Sequence, residues 1–86
     1  MIYMLVNNFG GYFKRLNKFN VAVCDGIGMG KTFKYRYQAD FTLNELKEDF
    51  KVIGLTEEKY VELYNNWYEM KYTYQENKNE IYINIK

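Results

Sequence analysis

Apolar and polar positions divide the chain into short segments of contrasting period. Residues 2–6, Ile-Tyr-Met-Leu-Val, form an apolar run of strand length closed by Asn7-Asn8 and Gly10-Gly11. Residues 12–18 fit either a short strand or a helical turn. Phe19 to Asp25 reads as a strand, with Val21 and Val23 on one side and Ala22 and Cys24 on the other. After the glycine-rich stretch Gly26–Lys31, residues Thr32 to Gln38 alternate cleanly. Phe33, Tyr35 and Tyr37 fall on one face, and Lys34, Arg36 and Gln38 on the other. This period of two predicts a strand, and with it a hairpin across the glycines.

The middle of the chain has helical punctuation. Thr42 and Glu45 form a capping box, Phe41 and Leu46 a hydrophobic staple, and Leu43, Leu46, Phe50 and Ile53 recur at helical spacing. Gly54 suits a left-handed helix end, and Thr56 then caps a second helix that carries Glu57 and Glu58 in its first turn. This helix is expected to run to about Met70. Its polar residues Glu62, Asn65, Asn66 and Glu69 crowd one side, while Tyr60, Val61, Leu63, Tyr64, Trp67, Tyr68 and Met70 cover the rest. That apolar arc is wider than the stripe of about 100° a core-facing helix needs. Residues 71–75 and 80–86 read as a C-terminal hairpin with Ile81, Ile83 and Ile85 facing the core. The sum is a single α+β domain over 1–86: an antiparallel sheet of about four to five strands with a central helical pair packed on one face. No internal repeat or linker is evident.

Composition sharpens this picture. Ten Tyr, six Phe and one Trp accompany no His, no Pro and one Cys in 86 residues. The chain is thus rich in contact surface and lacks the side chain most used for acid–base chemistry and metal ligation near neutral pH. A non-enzymatic protein without metal or cofactor is expected. Lone Cys24 sits at an apolar strand position with no His to activate it, and reads as structural. It cannot form an internal disulfide, and no apolar run reaches membrane-span length or resembles a signal peptide. The cytoplasm is therefore the expected setting, with no membrane partner.

The net charge of +1 hides an asymmetry. Residues 1–37 carry Lys14, Arg15, Lys18, Lys31, Lys34 and Arg36 against Asp25 alone. Residues 38–86 carry six lysines against ten carboxylates. Such a dipolar chain presents a basic face to phosphates or an acidic face to a basic groove.

Three motifs bear on what the chain could bind. Gly30-Lys31-Thr32 ends like a phosphate-binding loop, but Asp25 stands where that loop needs its first Gly, and a strand rather than a helix is expected to follow. The helices flanking Gly54-Leu55-Thr56 have a helix-turn-helix outline, yet Glu57 and Glu58 would meet the DNA backbone with like charge. Lys34 and Arg36 interleaved with Phe33, Tyr35 and Tyr37 are a stronger nucleic-acid signal. On a strand, however, cations and rings take opposite faces, which leaves the basic face (Lys14, Arg15, Lys31, Lys34, Arg36) as the binding surface.

The profile resembles the small Tyr- and Asn-rich proteins that phages and mobile elements of AT-rich bacteria encode, the stretch from Thr42 to Tyr60 most of all. Many of these, anti-CRISPR proteins among them, are single compact domains without catalytic residues that block a host defence complex. The resemblance implies a stoichiometric inhibitor of a host protein or ribonucleoprotein, working in the bacterial cytoplasm. Its contact surface is expected on the second helix, through Tyr60, Tyr64, Trp67 and Tyr68 or through the acidic Glu57, Glu58, Glu62 and Glu69. Tyr and Trp suit interface centres because they offer large contact area with few torsions to freeze. Homodimerisation through the same face is a third reading. The alternative is a small single-stranded nucleic-acid-binding domain using the basic strand face.

Overall fold

A computed structural model of the chain describes the backbone of residues 1–85 and the side chains of residues 1–71. Four strands form one antiparallel sheet: β1 (Ile2–Asn7), β2 (Tyr12–Leu16), β3 (Ala22–Asp25) and β4 (Phe50–Leu55). Their spatial order is β3-β2-β1-β4. β4 pairs with β1 along its full length, from Ile2 opposite Leu55 to Asn7 opposite Phe50. Helix α1 (Arg36–Glu45) lies between β3 and β4 in sequence, and α2 (Glu57–Ile85) follows β4. The protein is thus α+β with a four-stranded antiparallel sheet and two helices.

The helices cover different faces of the sheet rather than forming a pair on one. Met4 and Leu5 are both fully buried, and as strand neighbours they point to opposite sides. Leu5 joins Phe13, Phe33 and Ala39 in a core completed by Leu43 and Leu46 of α1 and by Phe50 and Val52 of β4. The rings of Phe13 and Phe50 meet edge to face there, with centroids 6.1 Å apart. On Met4's side lies the glycine-rich segment, which makes a short 3-10 turn over Ile27–Met29 and buries Ile27. Gly30 is pressed so close to Met4 and Tyr12 that a β-carbon there would stand 2.7 Å and 2.8 Å from their side chains. α2 is seated on this turn.

Three sequence expectations are corrected. Thr32–Gln38 is not a strand, and no hairpin crosses the glycines. Phe33 alone bridges to Tyr3, exchanging hydrogen bonds of 2.9 Å and 2.8 Å with it, and α1 then begins. Its start is fixed at Tyr35, whose N–H donates to Gln38 Oε1 (3.2 Å) while Gln38 N–H donates to Tyr35 O (3.1 Å).

The helix expected from a Thr42 cap through Leu43, Leu46, Phe50 and Ile53 to Gly54 does not form: Thr42 lies inside α1, which runs from Arg36 to Glu45, and Phe50–Leu55, Gly54 included, is a strand. Val52 and Ile53 fill opposite faces of a ladder made with β1, and that long-range pairing outweighs the local helical period.

The C-terminal hairpin is replaced by the continuation of α2 to Ile85. No Gly lies beyond Gly54 and no Pro occurs anywhere, so nothing after Thr56 interrupts a helix. The expected inward facing of Ile81, Ile83 and Ile85 lies outside the described side chains.

Candidate functional site

α2 is positioned by a cap and a clamp. Thr56 Oγ1 accepts the Lys59 N–H (3.1 Å), as the sequence predicts, and Glu57 and Glu58 occupy the first turn where the helix dipole favours them. The clamp is Trp67. Its indole spans Gly26 and Gly28, the pyrrole end against one and the benzene end against the other, and a β-carbon at either position would overlap the ring. These glycines serve close approach, since Gly26 has ordinary extended dihedrals (φ −64°, ψ 167°). The glycine run, which in sequence resembles a mobile hairpin tip, is therefore a platform for an indole.

This seating sorts the expected contact residues of α2 into three lines. Tyr60, Leu63 and Trp67 are half-buried against the body. Val61, Tyr64 and Tyr68, spaced by three and four residues, form an exposed line beside them, with Tyr64 at 37% and Tyr68 at 56% exposure. Glu58, Glu62 and Glu69 with Asn65 make an acidic line beyond that, and Glu62 pairs with Lys59 at 3.6 Å. Aromatic contacts link the first two lines: Tyr60 and Tyr64 centroids are 6.1 Å apart, Tyr64 and Trp67 5.6 Å. Lys71 Nζ lies 5.2 Å from the Trp67 ring centroid. Trp67 is thus partly committed to holding the helix down, whereas Tyr68 is exposed and Tyr64, packed on Tyr60 and Trp67, still presents one side to solvent.

The basic residues divide. Lys14 and Arg15 stay on β2, where Lys14 approaches Asp25 at 3.9 Å. Lys31 and Lys34 lie beside rings instead of opposite them, because the segment that holds them turns into α1, and Arg36 opens that helix and pairs with Asp40 at 3.8 Å. Lys31 lies 5.4 Å from the Phe33 centroid, and Lys34 5.4 Å from that of Tyr35.

Sequence reasoning missed two further rings. Phe9 and Phe19 stand at the hairpin turns at either end of β2, 95% and 73% exposed. Both turns share one design. Asn7 Oδ1 accepts from the N–H groups of Phe9 (3.0 Å) and Gly11 (2.8 Å), and Asn17 Oδ1 from those of Phe19 (2.8 Å) and Val21 (3.0 Å). Each turn then passes through a left-handed residue, Gly10 (φ 80°) or Asn20 (φ 60°). The shared signal is Asn-x-Phe-Gly/Asn, at residues 7–10 and again at 17–20.

Cys24 is half-buried and accepts a long contact from Asn7 Nδ2 (3.7 Å). Burial pushes its thiol pKa up, the negative charge of Glu48 adds to that, and the Asn7 contact opposes both. A thiol so placed is a poor nucleophile. Among the described residues no group of three or more His, Cys, Asp or Glu is placed to hold a metal ion, and no helix is long and apolar enough to cross a membrane. In comparison with known proteins, no family model matches the chain, and neither a curated protein nor a solved structure does.

Proposed function

We propose that this protein is a non-enzymatic binding protein that acts by stoichiometric contact, as phage-type inhibitors of bacterial nucleic-acid-handling or defence complexes (anti-CRISPR-like) do. The observation that carries this reading is the exposed line of Val61, Tyr64 and Tyr68 on α2. It lies between the residues that seat the helix and an acidic line of Glu58, Glu62 and Glu69. Anchors at such spacing are how a helix enters an apolar groove. The adjacent carboxylates favour a groove with a basic rim, which is what a protein that holds nucleic acid in a bacterial cytoplasm presents. Rigid, partly supported tyrosines at the centre of such a contact carry much of its energy.

The test is capture from a bacterial lysate by the tagged protein, with a Tyr64→Ala/Tyr68→Ala variant in parallel. A specific protein or ribonucleoprotein that the wild type retains and the folded variant loses supports the reading. Equal capture by both, or none by either, contradicts it.

A further inference from the structure

We infer that the entry to α1 is a stacking site for single-stranded nucleic acid, separate from the α2 surface. Tyr35 and Tyr37 are both exposed and lie nearly parallel, with an interplanar angle of 14° and centroids 5.6 Å apart. Phe41, exposed one helical turn after Tyr37, extends the row of rings along the outer face of α1. A groove of about 820 Å³ runs beside Tyr37 and Phe41, lined also by Lys31 and Asp40.

Three cations lie in the same segment. Lys34 lies 5.4 Å from the Tyr35 centroid, Lys31 covers the buried Phe33 ring and lines the groove with Tyr37 and Phe41, and Arg36 is exposed and pairs with Asp40 at 3.8 Å. Flat rings in solvent with cations at their margins suit a chain that alternates flat bases with phosphates. Bases stack on the rings without regard to sequence, and Lys31, Lys34 and Arg36 meet the phosphates. A duplex hides its base faces and fits poorly. An apolar protein partner would leave the cations unmatched. Tyr35 and Tyr37 also suit a site because the start of α1 does not depend on their rings: the bonds fixing it use the Tyr35 backbone and Gln38.

The experiment is fluorescence anisotropy of labelled oligo-dT and oligo-U, each about 12 nucleotides long, long enough for one site of this kind. The full chain is titrated at low salt and then at increasing salt. Binding of either strand is expected, with a log–log salt slope near −2 from about three phosphate contacts. Tyr35→Ala/Tyr37→Ala, its fold checked by circular dichroism, should lose about tenfold or more in affinity. Lys34→Gln, which keeps both rings, should weaken binding and flatten the slope by about 0.7. Lys51→Gln, removing the same single charge elsewhere, should bind as the wild type does. Absence of binding to both strands at low salt overturns the inference. So does equal affinity for a duplex of the same length, or undiminished binding by the folded tyrosine variant. A protein partner lost by that variant, with no oligonucleotide bound, reassigns the patch to protein contact and overturns it as well.

Discussion

The indole of Trp67 lies against the backbone of Gly28 with no room for a β-carbon between them, and Gly26 receives the other end of the same ring. Two glycines of the loop and one tryptophan of α2 thus form a single contact that ties the helix to the sheet. Gly28→Ala forces either the loop or the indole to move, an overpacking that costs about 1–3 kcal/mol. Urea unfolding followed by the fluorescence of Trp67, the sole tryptophan, should show the lowered midpoint and a native emission shifted toward that of solvated indole. An unchanged midpoint would mean that the ring is not clamped.

The paired hairpin turns make a second prediction. Asn7→Ala and Asn17→Ala each remove one oxygen that accepts from two backbone N–H groups, a loss of about 1–2 kcal/mol at partly exposed sites. Asn20→Gly, at φ 60°, should leave stability within a few tenths of a kcal/mol, whereas Asn20→Val should cost about 1–2 kcal/mol because a β-branched residue resists that conformation. Midpoints of the four variants, compared in one denaturant series, check the ranking.

Cys24 supplies a pH test. Burial first and the Glu48 carboxylate second hold its thiol above the ordinary range. A proton held more tightly in the folded chain contributes stability that is fully present below the unfolded pKa and is lost as pH rises through the folded one. The rate of alkylation by iodoacetamide should therefore climb at higher pH in the folded chain than in urea. Glu48→Gln should move the folded profile part of the way down, because burial remains. Coincident folded and unfolded profiles would contradict the assignment.

The sequence is legible where the local signal and the tertiary result agree. The apolar run at residues 2–6 and the Thr56 cap each became the expected element, and the strand expected over residues 19–25 formed over Ala22–Asp25 only, after a turn through Phe19 and Asn20. It misleads where two periods overlap. Phe33, Tyr35 and Tyr37 alternate, yet Phe33 enters the core while Tyr35 and Tyr37 stack on each other in solvent at the start of α1, so the three rings share no strand face. Phe50 and Ile53 match a helical spacing with Leu43 and Leu46, but their partners are residues of β1, more than forty positions away. The role of the glycines was hidden because close approach of an indole leaves the same letters as a flexible turn. For the candidate site, the wide apolar arc of α2 was readable, while the commitment of Trp67 to the body required the loop beneath it.

Among the described residues, Phe13 and Phe33 are the buried rings, while Phe9, Phe19, Tyr35, Tyr37, Phe41, Tyr64 and Tyr68 are exposed. The account rests on such outward rings of α2 being kept for contact rather than for stability. The most direct measurement takes thermal stability and partner capture on the same Tyr64→Ala/Tyr68→Ala protein. Stability should fall by no more than about 3 kcal/mol, the upper worth of the two contacts Tyr64 makes with Tyr60 and Trp67, while capture is lost. A variant that unfolds, or one that captures its partner as before, would contradict it.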